Sequence, residues 1–383
     1  MKRILLSIAM LAMTVTMMAQ ANVYFTKDIS AESLQKIYEV LGVPATGRVA
    51  VKISTGESQN SNQLKPSLIQ AFVNGVDGTL VECNTTYSGS RSTTASHRQA
   101  IQQRGYTVAG GFKYELDLMD SDGADSAAGE LELPMSADTQ NGVAPHFPYA
   151  VVGAHMANYD FMINLAHFKG HQMGGFGGVL KNQSIGMSAR RGKALIHSAG
   201  RNTVSERWFS YADDQDGFLE SMAEVANAIH QYFHQEGKNI IYIDVMNNIS
   251  VDCDCNGRPA SPQMKDVGIL ASTDPVALDQ ACLDFVNMPS SAGDNHQPLL
   301  DRIARQHGTH IIDHAERIGL GSRSYTLIDL ADLTGIQLIS SQAMPQSYNI
   351  FRIDGTPVGT NMKSLDALSE GLYIINGKKV AIK

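Results

Sequence analysis

The stretch GRVAVKISTGESQNSNQLKPSLIQAFVNGVDGTLVECNT, residues 47–85, decides the fold class. Its first part, 47–55, is rich in β-branched residues and predicts a buried strand. A helix is predicted at 65–76, and a second extended segment follows at 78–85. Another helix signal comes at 94–105. This alternation favours an α/β fold with a mostly parallel sheet flanked by helices.

The alternation continues further along the chain. Residues 217–233 predict an amphipathic helix, and residues 238–250 predict a buried strand. A helix is predicted at 274–287, with Asp274 as its N-terminal cap. In sheets of this class functional groups lie at the carboxyl ends of the strands. The polar segment 82–97 is a loop of that kind.

The N-terminal residues 1–21 predict secretion. Lys2 and Arg3 form a charged start, an apolar run from Ile4 to Met18 follows, and a small-residue cleavage site ends at Ala21. We expect a signal peptide that is removed after Ala21. The mature protein is then expected to pass through the periplasm, to have no transmembrane segment, and to be extracellular or on the cell surface.

The C-terminal residues 331–383 change to short extended runs. Asp354-Gly355 and Asn376-Gly377 are dipeptides typical of hairpin turns. We therefore expect a small β-sandwich domain after an α/β domain at 22–330. The ending SLDALSEGLYIINGKKVAIK resembles the C-terminal sorting domain of the type IX secretion system. That resemblance implies a partner in the outer-membrane secretion machinery.

The distribution of charge excludes one class of ligand and favours another. A formal net charge of −8 argues against binding to nucleic acids. Residues 161–205, however, contain six lysines and arginines and no aspartate or glutamate. Cations beside exposed backbone N–H groups favour a negative ligand, so this glycine-rich segment predicts a site for a small anionic substrate or cofactor. A basic surface strip balanced by acidic neighbours is the alternative.

The centre of that segment is HFKGHQMGGFGGVLKN, residues 167–182. Its glycines would let the backbone approach a ligand closely, although their spacing matches neither common phosphate-binding motif. The residues expected to bind the anionic ligand are Lys169, Gly174, Gly175, Gly177, Gly178, Lys181 and Asn182.

The same segment offers candidate metal ligands. His167 and His171 become a metal site only if further ligands converge on them. The candidate partners are Cys253 and Cys255 in the sequence DCDC, which share one face of an extended chain. Two thiolates with one or two histidines suit zinc or an iron centre. A self-contained ferredoxin-type cluster is not expected, because the chain has no C-x2-C-x2-C run.

Export gives the cysteines a second interpretation. Cys253 and Cys255 could form disulfides with Cys83 and Cys282, while a bond between the first two would be strained. The protein would then be a non-catalytic surface binding protein for an anionic ligand. Whether the chain is an enzyme stays open, because the sequence has no nucleophile motif such as G-x-S-x-G.

Several segments together resemble one family. They include HFKGHQMGGFGGVLKN, RRGKALIHSAG and VDCDCNGRPASPQMKDVGILASTDPVALDQACLDFVN. These segments are similar to the domain-of-unknown-function 362 family, often labelled iron–sulfur-centre proteins, and the resemblance runs from about residue 23 to 330. The resemblance implies a metal or redox association, and our first hypothesis is a metal- or redox-centre protein that acts as an oxidoreductase. Many relatives carry an inserted ferredoxin module, whereas residues 198–217 of this chain hold no cysteine.

Overall fold

The structure is a computed structural model that describes residues 20–123, 128–138, 142–204, 207–333, 348–352, 356–362, 368–369, 371–375 and 378–382. The predicted signal peptide therefore lies almost wholly outside the described residues. The predicted turn dipeptides Asp354-Gly355 and Asn376-Gly377 also lie outside them.

The described strands are β1 (Ala21–Thr26), β2 (Val49–Lys52), β3 (Gly78–Glu82), β4 (Asp117–Leu118), β5 (Glu130–Pro134), β6 (Tyr149–Gly153), β7 (Phe161–His167), β8 (Lys169–His171), β9 (Gly175–Gly177), β10 (Asn239–Met246), β11 (Gly268–Ser272), β12 (Tyr325–Asp329), β13 (Tyr348–Arg352), β14 (Pro357–Met362), β15 (Gly371–Ile375) and β16 (Lys378–Ile382). The described helices are α1 (Ala31–Val40), α2 (Pro66–Gly75), α3 (Thr94–Arg104), α4 (Val179–Met187), α5 (Arg190–His197), α6 (Gln215–Tyr232), α7 (Pro275–Asn287), α8 (Gln297–Arg305) and α9 (His310–Arg317).

An eight-stranded sheet forms the centre of the protein, in the order β12-β1-β11-β10-β7-β2-β3-β4. Its neighbouring strands are parallel, except that β11 runs antiparallel to both β1 and β10. The strand predicted from the opening stretch is β2, where Val51 pairs with Leu80 of β3 and with Ile163 of β7. The predicted α/β class with a mostly parallel sheet is confirmed.

Apolar side chains cover both faces of this sheet. Along β2 and β7, Val51 and Ile163 point to one core, together with residues of α1, α2 and α3. Ala50 and Met162 point to the other core, together with residues of α4, α6, α7 and α9. Because both faces are buried, these strands read as continuous apolar runs without polar alternation.

The other predicted elements also form. The helix predicted at 217–233 is α6, and the strand predicted at 238–250 is β10. Asp274 caps α7, since its carboxylate accepts hydrogen bonds from the N–H groups of Val276 at 2.8 Å and Ala277 at 3.0 Å. Within the described part of the chain, no helix is both long and apolar enough to cross a membrane.

The C-terminal strands form a separate antiparallel sheet in the order β14-β13-β15-β16. The strands on either side of each predicted turn dipeptide pair with one another, as a hairpin requires. Tyr348, Ile350, Tyr373 and Ile375 form a small buried cluster on this sheet. The domain boundary near 331 stays a prediction, because residues 334–347 lie outside the described residues.

Candidate metal centre and anion-binding cavity

A cavity of about 540 Å³ lies where the central parallel strands end. The strands β2, β3, β7 and β10 run in one direction, so their carboxyl ends meet at one edge of the sheet. Residues that follow these strands line the cavity, namely Glu57, Arg91, His171 and Cys253 in that order. Sheets of this class bind ligands at this edge, as the sequence predicted for the polar loop 82–97.

One wall of the cavity carries a group of metal-binding side chains. The potential ligand atoms of His171, Cys253 and Cys255 all lie within 4.8 Å of one another. The two cysteines lie in a turn and not in an extended segment, since the N–H of Asn256 donates to the carbonyl oxygen of Cys253 at 2.9 Å. The N–H of Cys255 also donates to the Cys253 sulfur at 3.2 Å. One nitrogen and two sulfur ligands suit zinc or iron, so these residues could hold a metal ion.

The charges around this group favour a thiolate at Cys253. A hydrogen bond from the Cys255 thiol holds the pKa of Cys253 well below its usual range, although burial opposes the shift. The positive charge of Lys181 acts in the same direction, with its Nζ 4.0 Å from the Cys253 sulfur. The same hydrogen bond, together with burial, raises the pKa of Cys255. The pair therefore keeps one proton, and Cys253 is the sulfur prepared to bind a soft metal.

His171 is held by the backbone of its own turn. Its Nδ1 accepts hydrogen bonds from the N–H groups of Met173 at 3.2 Å and Gly174 at 2.9 Å. The proton of the neutral ring is therefore on Nε2, and the side chain also hydrogen bonds with Cys253. A metal at Nε2 would move the proton to Nδ1 and break both backbone hydrogen bonds. His171 would therefore have to give up both backbone hydrogen bonds to bind a metal through Nε2.

The structure places His167 away from this group, which corrects its predicted role as a metal ligand. Its Nδ1 lies 3.0 Å from Asp254, and its Nε2 lies 2.6 Å from the carbonyl oxygen of Asn247. Both ring nitrogens are thus engaged. The Asp254 carboxylate also forms an ion pair with Lys169, whose Nζ lies 3.1 Å away. Burial opposes ionisation of Asp254, but Lys169 and His167 hold its pKa well below its usual range.

The residues predicted to bind the anionic ligand divide into two sets. Those that line the cavity are Lys169, Gly177, Gly178, Lys181 and Asn182. Gly174 and Gly175 are absent from the lining. Gly175 has a left-handed backbone with φ of 77°, and a Cβ there would lie 2.8 Å from the Cα of Gly308. Its glycine therefore serves a tight turn and close packing.

The cations of the predicted cation-rich segment, residues 161–205, also divide into two sets. Arg191 pairs with Glu130 and Glu132, and Arg201 pairs with Asp213. These arginines therefore agree with the alternative interpretation, in which a basic surface strip is balanced by acidic neighbours. The lysines of the segment behave differently, because Lys169, Lys181 and Lys193 all line the cavity.

Three cavity lysines, Lys52, Lys181 and Lys193, have no carboxylate within ion-pair distance among the described residues. Arg91 is different, since it pairs with Glu57 at 3.2 Å and Glu82 at 3.1 Å. Cations that have no paired carboxylate in a partly enclosed space attract a negative ligand, so the cavity is suited to an anion.

The family model described as "Domain of unknown function (DUF362)" matches residues 49–284, more than half of the chain. The chain belongs to the DUF362 family. The match contains every residue that lines the cavity. The resemblance expected from the sequence is therefore confirmed.

No curated protein matches the chain in sequence. Five solved chains match it, and one of them is the lactate racemase apoprotein from Thermoanaerobacterium thermosaccharolyticum. That match has 14% sequence identity and a TM-score of 0.36. It covers 70% of the DUF362 protein and 57% of the racemase, so the chain spans little more than half of the racemase's length.

The cysteines of the DUF362 protein are all free thiols. Cys83 is buried, and its sulfur lies 3.3 Å from the carbonyl oxygen of Met187. Cys282 is buried within α7. The disulfides that the alternative interpretation required between these residues and the Cys253–Cys255 segment are not formed in the structure.

Two residues that line the cavity of the DUF362 protein, Lys52 and Glu82, were not among the site residues predicted from the sequence. Lys52 ends a strand that reads as purely structural, and Glu82 ends the next. Glu82 accepts hydrogen bonds from Thr55 at 2.5 Å and Arg91 at 3.1 Å, and it contacts His97 at 2.9 Å. Burial opposes ionisation of Glu82, but His97 and Arg91 keep its pKa low. Their position at strand ends was the signal that could have identified both residues.

Proposed function

We propose that the protein holds a metal ion between His171, Cys253 and Cys255 and binds a small anionic substrate or cofactor in the adjoining cavity. The observation that carries this proposal is the grouping of three ligand atoms within 4.8 Å on a cavity wall. Three protein ligands leave one position of a tetrahedral metal open, as in catalytic sites. The ligand set is compatible with zinc, a Lewis acid, or with iron, a redox centre.

The lysines of the cavity support the anionic part of the proposal. Lys181 lies beside the Cys253 sulfur, so an anion bound to this lysine would be close to the side chains that would hold the metal. Lys193 lines the same cavity without a carboxylate partner among the described residues. Together these side chains would neutralise a carboxylate or phosphate group and orient it towards the metal-binding wall.

Elemental analysis tests the metal proposal. Protein purified without added metal, and protein reconstituted with zinc or ferrous iron, should contain about one metal ion per chain. Cys253→Ser should lose that metal. Cys282→Ser, which changes a buried cysteine outside the group, should keep it. The proposal fails if the native protein holds no stoichiometric metal and Cys253→Ser leaves its absorption spectrum and thermal stability unchanged.

We also propose that the protein is exported and that its C-terminal segment directs it to the outer-membrane secretion machinery. The sequence of residues 1–21 and the ending after 350 support this proposal. N-terminal sequencing of the mature protein should give Asn22 as the first residue, and deletion of residues 331–383 should remove the protein from the cell surface and medium. An intact Met1 on exported protein would contradict the cleavage.

A further inference from the structure

Lys52 is an unusual lysine, because its side chain is 1% exposed and lines the cavity. Its Nζ donates to the carbonyl oxygen of Ile53 at 2.5 Å and to the side-chain oxygen of Asn182 at 3.1 Å. No carboxylate within the described chain pairs with it. A buried lysine without an ion-pair partner is costly and is rarely kept for packing alone.

The surroundings hold this amine in one place. Asn182 donates from Nδ2 to the side-chain oxygen of Asn164 at 2.7 Å and to the carbonyl oxygen of Lys52 at 3.2 Å. Its own oxygen is therefore fixed towards the lysine. Gly186 leaves room for the amine, since a Cβ there would lie 2.8 Å from Nζ. Two N–H groups of the amine are thus committed, and the remaining tetrahedral position carries either a proton or a lone pair.

The buried position of Lys52 shifts the amine towards the lone pair. Burial lowers the pKa of Lys52 to about 8, and the positive charges of Lys193 and Arg91 add to that shift. Glu82 and Cys83 oppose it. A lysine with these properties keeps a useful fraction of neutral amine near neutral pH, which is how lysine nucleophiles are activated.

We propose that Lys52 forms an imine with a small 2-oxo acid bound in the cavity. The proposal rests on the anionic ligand proposed above, but it does not require the metal. Nζ attacks the carbonyl carbon, a C=N bond replaces the C=O bond, and the carbonyl oxygen leaves as water with the two amine protons. No electrons are gained or lost. Lys193, which lines the same cavity, supplies the cation for the ligand's carboxylate.

Trapping with borohydride tests this proposal on the full mature chain. Pyruvate and sodium borohydride should produce one reduced adduct per chain, and peptide mass mapping should place it on Lys52. Acetone, which has the carbonyl group but no carboxylate, should label Lys52 far less. Lys52→Arg should lose the adduct, whereas Lys36→Arg, at an exposed position of α1, should be labelled like the native protein.

The outcomes of this experiment separate failure of the imine from failure of the anion site. Peptide mapping of the native protein decides the proposal even if Lys52→Arg does not fold. Labelling only at surface lysines, or no adduct at Lys52, overturns the imine. Calorimetric binding of pyruvate without a trapped adduct would overturn the imine and leave the anion site intact. A native protein that binds neither pyruvate nor phosphate would contradict the anion site itself, whatever its metal content.

Discussion

Lys169 and Asp254 form an ion pair in which the Nζ and carboxylate oxygen are 3.1 Å apart and both side chains are almost completely buried. In the sequence, Asp254 lies between the two cysteines of the candidate metal-binding group. Its backbone carbonyl also accepts a hydrogen bond from the N–H of Glu57 at 2.8 Å. The position of the two thiols therefore depends on this buried pair and on His167, the second partner of the carboxylate.

Asp254→Asn should lower the free energy of unfolding by about 3–5 kcal/mol, because it leaves the Lys169 charge buried without a partner. Urea unfolding at neutral pH measures this loss. Asp301→Asn, which changes an exposed carboxylate of α8, should have little effect. Equal stability of the two variants would show that the ion pair does not hold the segment.

The low pKa of the Asp254 carboxylate predicts that the stability of the protein depends on pH in the acid range. The pKa of Asp254 is lower in the folded protein than the unfolded value of about 4. Its contribution is therefore present above about pH 4 and is lost as the pH falls towards the folded pKa. Below about pH 4 the native protein should lose stability more steeply than Asp254→Asn. Parallel curves for the two proteins would count against this assignment.

Metal binding should loosen the turn that holds His171. Because a metal at Nε2 moves the ring proton to Nδ1, the N–H groups of Met173 and Gly174 lose their acceptor. Addition of zinc should therefore speed hydrogen exchange at these two amides. His171→Ala should weaken zinc binding by about 10- to 100-fold, less than the loss in Cys253→Ser.

A matched control for the zinc measurement is His307→Ala, which changes an exposed histidine with a side chain 61% accessible. Its zinc affinity should equal that of the native protein. If zinc binds while Met173 and Gly174 stay protected from exchange, His171 is not a ligand.

A buried pair of carboxyl groups behind the cavity predicts the opposite pH dependence. Asp279 of α7 accepts hydrogen bonds from the N–H groups of Val179 at 2.8 Å and Leu180 at 3.0 Å. Burial raises the pKa of Asp279 to about 7, and burial beside Asp279 raises the pKa of Asp244 well above its usual range. The pair therefore keeps a proton near neutral pH.

Because these folded pKa values are raised, the stabilisation is present below the unfolded value of about 4 and is lost as the pH rises through about 7. Asp244→Asn should make the free energy of unfolding less dependent on pH between about 5 and about 8. Asp301→Asn should keep the native slope. Urea unfolding across this range is the measurement, and an unchanged slope in Asp244→Asn would refute the raised pKa of this carboxyl group.

The fold class could be predicted from the sequence because the signals for its strands and helices are local. Val49 to Lys52 is a run of residues suited to a buried strand, and Pro66 at the start of α2 marks a helix N-terminus. Asp274 could likewise be recognised as a cap from its own neighbours. Such signals involve residues only a few positions apart, so they can be recognised in the sequence without knowledge of the tertiary structure.

The site was accessible only in part, because its contacts join distant segments. The sequence identified Cys253 and Cys255 and paired them with the histidines near 170, but it could not choose between His167 and His171. That choice depends on Asp254, which engages His167 across 87 positions of the chain. Lys52 was missed because a lysine at the end of an apolar strand has no motif. Its burial is visible only once α4 is packed over it.

The neighbouring glycines 177 and 178 offer a test of what the glycine-rich run is for. A Cβ at Gly178 would lie 2.2 Å from the Asp279 carboxylate, whereas a Cβ at Gly177 would meet the flexible side chains of Lys181 at 3.3 Å and Lys169 at 3.6 Å. Gly178→Ala should therefore lower the free energy of unfolding by about 1–3 kcal/mol, the usual cost of overpacking. Gly177→Ala should keep its stability but weaken phosphate or pyruvate binding, because its methyl group displaces Lys181. Thermal melting and calorimetry separate the two effects, and equal losses of stability would mean that both glycines serve packing alone.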